Sequence, residues 1–149
     1  MSLEQWLDNA WVMRIEPSAR SISDSLAIAR REVADASLQG MSADGRFDHA
    51  YDAIRGLCEA ALHAVGLAVP KGSRKHERLI ESLKFTLQGT WLEDADFLDR
   101  CRRRRHQTMY ERIGVVQQRD ADELLATASN LHRDVRKWLR ARHPVLAPT

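Results

Sequence analysis

Between Asp99 and Tyr110 the chain reads DRCRRRRHQTMY, its densest collection of groups able to grip a phosphate or carry a proton. Placed on a helix, Phe97, Cys101, Arg105 and Met109 fall four residues apart, so Arg105 shares the stripe that should face a core. A buried guanidinium needs a partner or a polar cavity. Arg102, His106 and Tyr110 form a second stripe at the same spacing, beside Arg105. Arginine presents a planar fork of donors that fits phosphate, and histidine titrates near neutrality. Phosphate binding and proton transfer could therefore share one edge of this helix. The plainer reading stays open. A basic run on a helix can be a solvated face paired with acids such as Asp99, Glu93 or Asp94. His106 can then be an ordinary surface histidine, and Tyr110 a core-edge residue with its hydroxyl outward.

A second candidate lies upstream. Lys75, His76 and Arg78 open a helix after a loop that contains Pro70 and Gly72. Free backbone N–H groups at a helix start, together with these cations, suit an anion, although a polar helix start needs no ligand. Asp48 and Tyr51 sit one turn apart on the preceding helix and can reach the arginine cluster. His49 and His63 read as surface or packing residues. There is no HExxH, P-loop or GxSxG motif, and no set of paired carboxylates at helical spacing that would suggest a diiron bundle. Cys58 and Cys101 fall inside helical patterns without a CxxC or a Cys/His cluster, so buried free thiols are expected. No metal and no cofactor are expected.

The elements that must position these residues follow from periodicity. Leu3 to about Val12 reads as a short opening helix (3–12). Pro17 to Gln39 reads as a second, with Ile22, Leu26, Ala29, Val33 and Ala36 on one stripe and Gly40 as its stop. Ser42 is a good N-cap for a third helix whose stripe runs through Phe47, Ala50, Ile54, Leu57, Ala61 and Val65, ended by Gly66. Residues 67–74 form the main loop. His76 to Leu87 is a shorter helix, Trp91 to about Arg112 the arginine helix, and Asp120 caps a last helix to about His143. That last helix carries Leu124, Ala128, Leu131, Val135 and Trp138 at heptad-like spacing. The tail 144–149 is expected to fray. Val115 and Val116 are the sole strand-like pair. Five or six helices with short connections predict an all-α, antiparallel helical bundle forming one domain over 1–149.

Composition sets the outer bounds. With 149 residues, 44% of them hydrophobic and 30% charged, the chain can bury one core and keep a polar surface. No apolar run approaches the roughly 20 residues that span a bilayer, so no membrane partner is expected. The N-terminal stretch carries Glu4 and Asp8 and lacks a basic region, unlike a signal peptide. Cytoplasmic location is the default. Net charge is only +2 and says little, whereas the local cluster at Arg100–His106 points to an anionic partner.

The arginine helix resembles that of the HEPN superfamily of small helical nucleotide-binding and RNase domains. Those domains carry an arginine, a polar residue, about three further residues and a histidine. A branch of stand-alone members instead has an arginine-rich helix with Arg-Asn, three residues and Tyr. Arg105-His106-Gln107-Thr108-Met109-Tyr110 is similar to that branch, with His106 in the Asn place. The flanks LEQWLDNAW, ADASLQGMSADGRF, KHERLIESL and DADELL are also similar in order and spacing, so the resemblance covers most of the chain. It implies a homodimer that binds RNA or a nucleotide, in a toxin–antitoxin or defence setting. It also implies metal-independent endoribonuclease chemistry, with the ribose 2′-hydroxyl attacking its own phosphodiester. Arg105, His106, Tyr110 and Arg100 are then the catalytic candidates; Arg102, Arg104, Lys75 and His76 would hold phosphate. Tyr110 occupies the usual histidine position. The motif can therefore be read from Arg100 to His106, or with His106 doing the proton work. The alternative class is a non-catalytic helical regulator that binds a nucleotidyltransferase, an antitoxin or another protein. A plain structural interaction domain is the remaining reading.

Overall fold

The computed structural model describes residues 1–110 and 114–148, with the backbone alone for 108–110. Helix α1 (Leu3–Asp8) is capped by Ser2, whose hydroxyl accepts from Gln5 N while the Gln5 side chain accepts from Ser2 N. It stops at Asp8 instead of running to 12. The chain turns through Ala10 in the left-handed region (φ 60°), and Trp11 folds back edge-on to Trp6 at 6.0 Å. Residues beyond that turn are extended as β1 (Met13–Arg14).

Helix α2 (Ala19–Ala36) starts after Ser18, whose side chain accepts from Ser21 N, so Pro17 precedes the cap and is not part of the first turn. The helix ends short of Gln39. Ser37 bonds its hydroxyl back to Val33 O, and Gly40 (φ 85°) serves the turn into the next helix. Helix α3 (Ala43–Ala64) is capped by Ser42 and stopped at Gly66 (φ 82°), both as expected. It is the central element. Ala50, Ala53, Ala60, Ala61 and Ala64 are all buried on it, and small side chains let α2 and the last helix close in on either side.

The chain then forms β2 (Leu67–Ala68), which pairs antiparallel with β1 in the register Met13↔Ala68 and Arg14↔Leu67. This two-stranded ribbon was not expected. Two-residue strands carry no alternation to read, and the strand-like pair Val115–Val116 is not part of it. Helix α4 (Lys75–Ser82) is shorter than the expected 76–87. At its end the Ser82 hydroxyl donates to Leu79 O and the Thr86 hydroxyl to Ser82 O. Such side-chain bonds compete with the helical ladder, and tight turns carry the chain on to Gly89. Helix α5 (Trp91–Tyr110) follows, tied to the last helix by Trp91 Nε1 donating to Asp134 at 3.1 Å.

Helix α6 (Gln118–Arg142) begins two residues before the expected cap. Asp120 sits inside the first turn and accepts from Gln117 N. Ala121, Leu124, Ala128, Leu131, Val135 and Leu139 are its buried seam, so the last step falls on Leu139; Trp138 lies half-buried at the edge against His143. The tail does not simply fray, because Leu146 and Ala147 pack on the core. Six helices and one minimal ribbon are thus present among the described residues, an all-α bundle with α3 between α2 and α6. Cys58 and Cys101 are buried free thiols. Among the described residues no helix is long and apolar enough to cross a membrane.

Candidate functional site: a basic cleft between the loop and the arginine helix

Helix α3 presents Tyr51, and Asp52, Arg55 and Glu59 at steps of three and four, toward the start of α4 and the middle of α5. The ribbon fixes where the chain re-enters after α3, and the loop 70–74 then carries Lys71 to the same place. The result is a cleft of about 490 Å³ lined by Lys71, Lys75, His76, Arg102, Arg105 and His106, with Tyr51 in its wall and Gly72 and Ser73 at its edge. No carboxylate lines it among the described residues. Two segments that were separate candidates in the sequence, Lys75–His76 and Arg102–His106, face one another here.

Arg105 is the best-held cation. Its Nη2 donates to Asp52 Oδ1 at 2.9 Å, its guanidinium lies 5.3 Å from the Tyr51 ring centre, and its side chain is 17% exposed. The Arg103 side chain is 63% exposed and, among the described residues, pairs with Asp99 at 3.8 Å. At 100° per residue, Arg103 points about 160° away from Arg105 around the helix, which accounts for the contrast. Arg102 is half-buried, with Nε on Asp99 at 2.9 Å. Lys75 Nζ lies 3.7 Å from Glu59.

Tyr51 is fully buried, and its hydroxyl has no hydrogen-bond partner among the described residues. Burial, and then Cys58, push its pKa well up, against the pull of Arg105, Arg102 and Arg55. The phenol therefore stays protonated. His76 stands 6.0 Å from the Tyr51 ring, with Nε2 3.4 Å from Arg55 Nη1. A guanidinium can only donate, so Nε2 is the acceptor nitrogen in that contact. Burial foremost, then Arg55, Arg105 and Lys75, hold the His76 pKa below its ordinary 6.5; Glu59 opposes them. His76 is thus a neutral imidazole among cations. His106 is exposed at the cleft rim.

Arg100 and Arg104 lie elsewhere. They line a second depression of about 280 Å³ with Phe47, Phe97, Cys101, Asp120 and Glu123. Arg104 is bonded to Asp120 at 3.0 Å and Arg100 sits over Phe97 at 5.9 Å. At 100° per residue, positions 100 and 104 fall roughly opposite 102, 105 and 106, so one basic run is split between two faces. Cys101 in that depression is no nucleophile: burial, then Glu123, push its thiol up to about 12, although Arg100 and Arg104 pull the other way. The Tyr110 side chain lies outside the described residues, so its expected role is not placed.

Sequence reasoning missed three groups. Lys71 was hidden in a loop, although a lysine between Pro70 and Gly72 has to sit at an exposed turn. Asp52, one turn after Asp48 on α3, is a carboxylate bonded to Arg105, and Arg55 is the cation beside His76. A further grouping was not read at all. Glu32 and Asp35 of α2 and His49 of α3 bring ligand-type atoms within 4.8 Å of one another, with His49 Nδ1 2.6 Å from the Glu32 carboxylate. Comparison with known protein families, curated proteins and solved structures finds no match to this chain.

Proposed function

We propose that this chain is a HEPN-like domain that binds RNA through the basic cleft and cleaves it without a metal. The observation that carries the reading is the cleft lining: two lysines, two arginines and two histidines converge from the 70–74 loop, α4 and α5, with no acid among them. Such a site offers forked donors for phosphoryl oxygens and two imidazoles for protons. The resemblance of the arginine helix supplies the RNA, and with it a two-fold dimer through α5 and a toxin–antitoxin or defence setting.

The chemistry assigned to the residues is as follows. Arg105, fixed by Asp52 and lying against the Tyr51 ring, holds a non-bridging phosphoryl oxygen. The ribose 2′-oxygen attacks the adjacent phosphorus while neutral His76 takes its proton on Nε2, which gives up its 3.4 Å contact with Arg55 Nη1. The P–O5′ bond breaks, and His106 at the rim delivers a proton to the leaving oxygen. The products are a 2′,3′-cyclic phosphate and a 5′-hydroxyl. Charge that develops on the phosphorane is met by the Arg105 fork and the lysines. Nothing in this sequence of steps requires a metal, because the substrate supplies the nucleophile and the protein the proton carriers.

Titration of a labelled single-stranded RNA with purified protein tests the reading. Binding should weaken steeply with salt, losing roughly tenfold or more between 50 and 200 mM as bound phosphates release counterions. Salt-independent binding, or none, would remove RNA as the ligand and favour the regulator class. Light scattering of the same preparation at tens of micromolar should give a dimer; a strict monomer would take the two-fold site out of the reading.

A further inference from the structure

The cleft does not end at Lys71 and Lys75. Because β1 and β2 are antiparallel, residues before Met13 run beside residues after Ala68. Extending the observed register sets Trp11 opposite Pro70. A second depression of about 160 Å³ lies there, lined by Trp11, Arg74 and Arg78 and sharing Lys71, Gly72 and Lys75 with the cleft. It also has no acid in its lining among the described residues. The Arg78 guanidinium stacks 4.0 Å from the Trp11 ring centre, and Trp6 buttresses the indole edge-on. This arrangement holds a flat cation and a flat aromatic in fixed orientation without a charge partner: Lys71, Arg74 and Arg78 form no ion pair among the described residues. Trp11, Arg74 and Arg78 also line a further hollow with Trp6, Glu77 and Glu81, whose two carboxylates disfavour a phosphate there.

We propose that the Trp11–Arg74–Arg78 depression is a second nucleotide subsite, so that the ligand is a single strand of two or more nucleotides running from the cleft across Lys71 and Lys75, with a base against the Trp11–Arg78 pair. Bases stack on aromatic rings and on guanidinium planes, whatever their sequence. Arg74 and Lys71 lie where the connecting phosphate passes. The proposal rests on the reading that the cleft itself takes a phosphodiester.

The test is the length dependence of binding. The probes are 2′-O-methyl uridylates of one to four nucleotides, which lack the attacking hydroxyl and so survive incubation. Affinity should rise about tenfold or more from the mononucleotide to the di- or trinucleotide, the gain of one stacked base. Arg78→Gln should remove most of that rise and leave mononucleotide affinity within about twofold. Arg74→Ser, at an exposed position, should lower the rise partially and serves as the check if Arg78→Gln melts early. A length-independent affinity in the unmodified protein overturns the subsite while leaving the cleft. A length gain kept in full by both variants also overturns it. Failure of every length to bind, the mononucleotide included, overturns the cleft reading and the subsite together.

Discussion

Arg105→Ala is expected to weaken binding of single-stranded RNA by roughly 10- to 150-fold, the range for a hydrogen bond to a charged group lost from a partly buried site. Arg103→Ala should cost less than about threefold, because an exposed, mobile charge contributes only through a screened field. The two residues are neighbours on one helix and differ in what holds them. Arg105 is oriented by Asp52 and by the Tyr51 ring, whereas Arg103 reaches a carboxylate it shares with Arg102. Arg105→Lys keeps the charge and loses the fork, so its loss should be intermediate. In the alanine variant Asp52 remains partly exposed with Arg55 at 4.0 Å, and the fold should survive; a melting curve recorded alongside checks this. Equal losses at positions 103 and 105 would mean that α5 offers only a diffuse basic surface.

A larger effect is expected on cleavage. His76→Ala and His106→Ala should each slow RNA cleavage by about 10²- to 10⁴-fold, the usual contribution of a positioned acid or base, while binding changes only a few-fold. The pH profile tells the two histidines apart. His76 acts as a base in its neutral form, and its pKa lies below 6.5, chiefly through burial and then through Arg55, Arg105 and Lys75. The acidic limb of the cleavage profile should therefore lie below pH 6.5. Arg55→Ala removes one of the cations that disfavour the imidazolium, so the acidic limb should move to higher pH. The same shift has a stability counterpart. Below pH 6.5 the unfolded chain binds a proton that folded His76 resists, so this histidine makes the fold less stable as pH falls and adds no pH dependence above 6.5. Full activity in His76→Ala would pass the base role to His106 or Tyr110.

Much of this architecture was legible because burial follows helical period. Ile22, Leu26, Ala29 and Ala36 on α2, and Leu124, Ala128, Leu131 and Val135 on α6, are buried where three-and-four spacing put them. Helix ends were less legible, since they depend on single side-chain bonds: Ser18 displaced Pro17 from the first turn, Ser82 shortened α4, and Gln117 displaced Asp120. Within the site, the stripe of Arg102 and His106 beside Arg105 could be read from spacing alone. Its meeting with Lys75 and His76 could not, because that contact is made by the fold of α3, the ribbon and the 70–74 loop. The burial of the Tyr51 hydroxyl and its closeness to Arg105 are tertiary facts of the same kind. Arg100 and Arg104 could have been set apart beforehand by their angular position on the helix; treating the basic run as one unit hid this.

The central claim is that phosphate is bound in the cleft that brings the loop and α4 start against α5. Backbone amide shifts of the uniformly ¹⁵N-labelled protein, followed while a non-cleavable single-stranded RNA is added, test it without any substitution. The account predicts the largest shifts at Gly72–His76 and at Arg102–His106, saturating together at one affinity. Shifts centred instead on Arg100, Arg104 and the first turn of α6, with residues 72–76 unmoved, would contradict it.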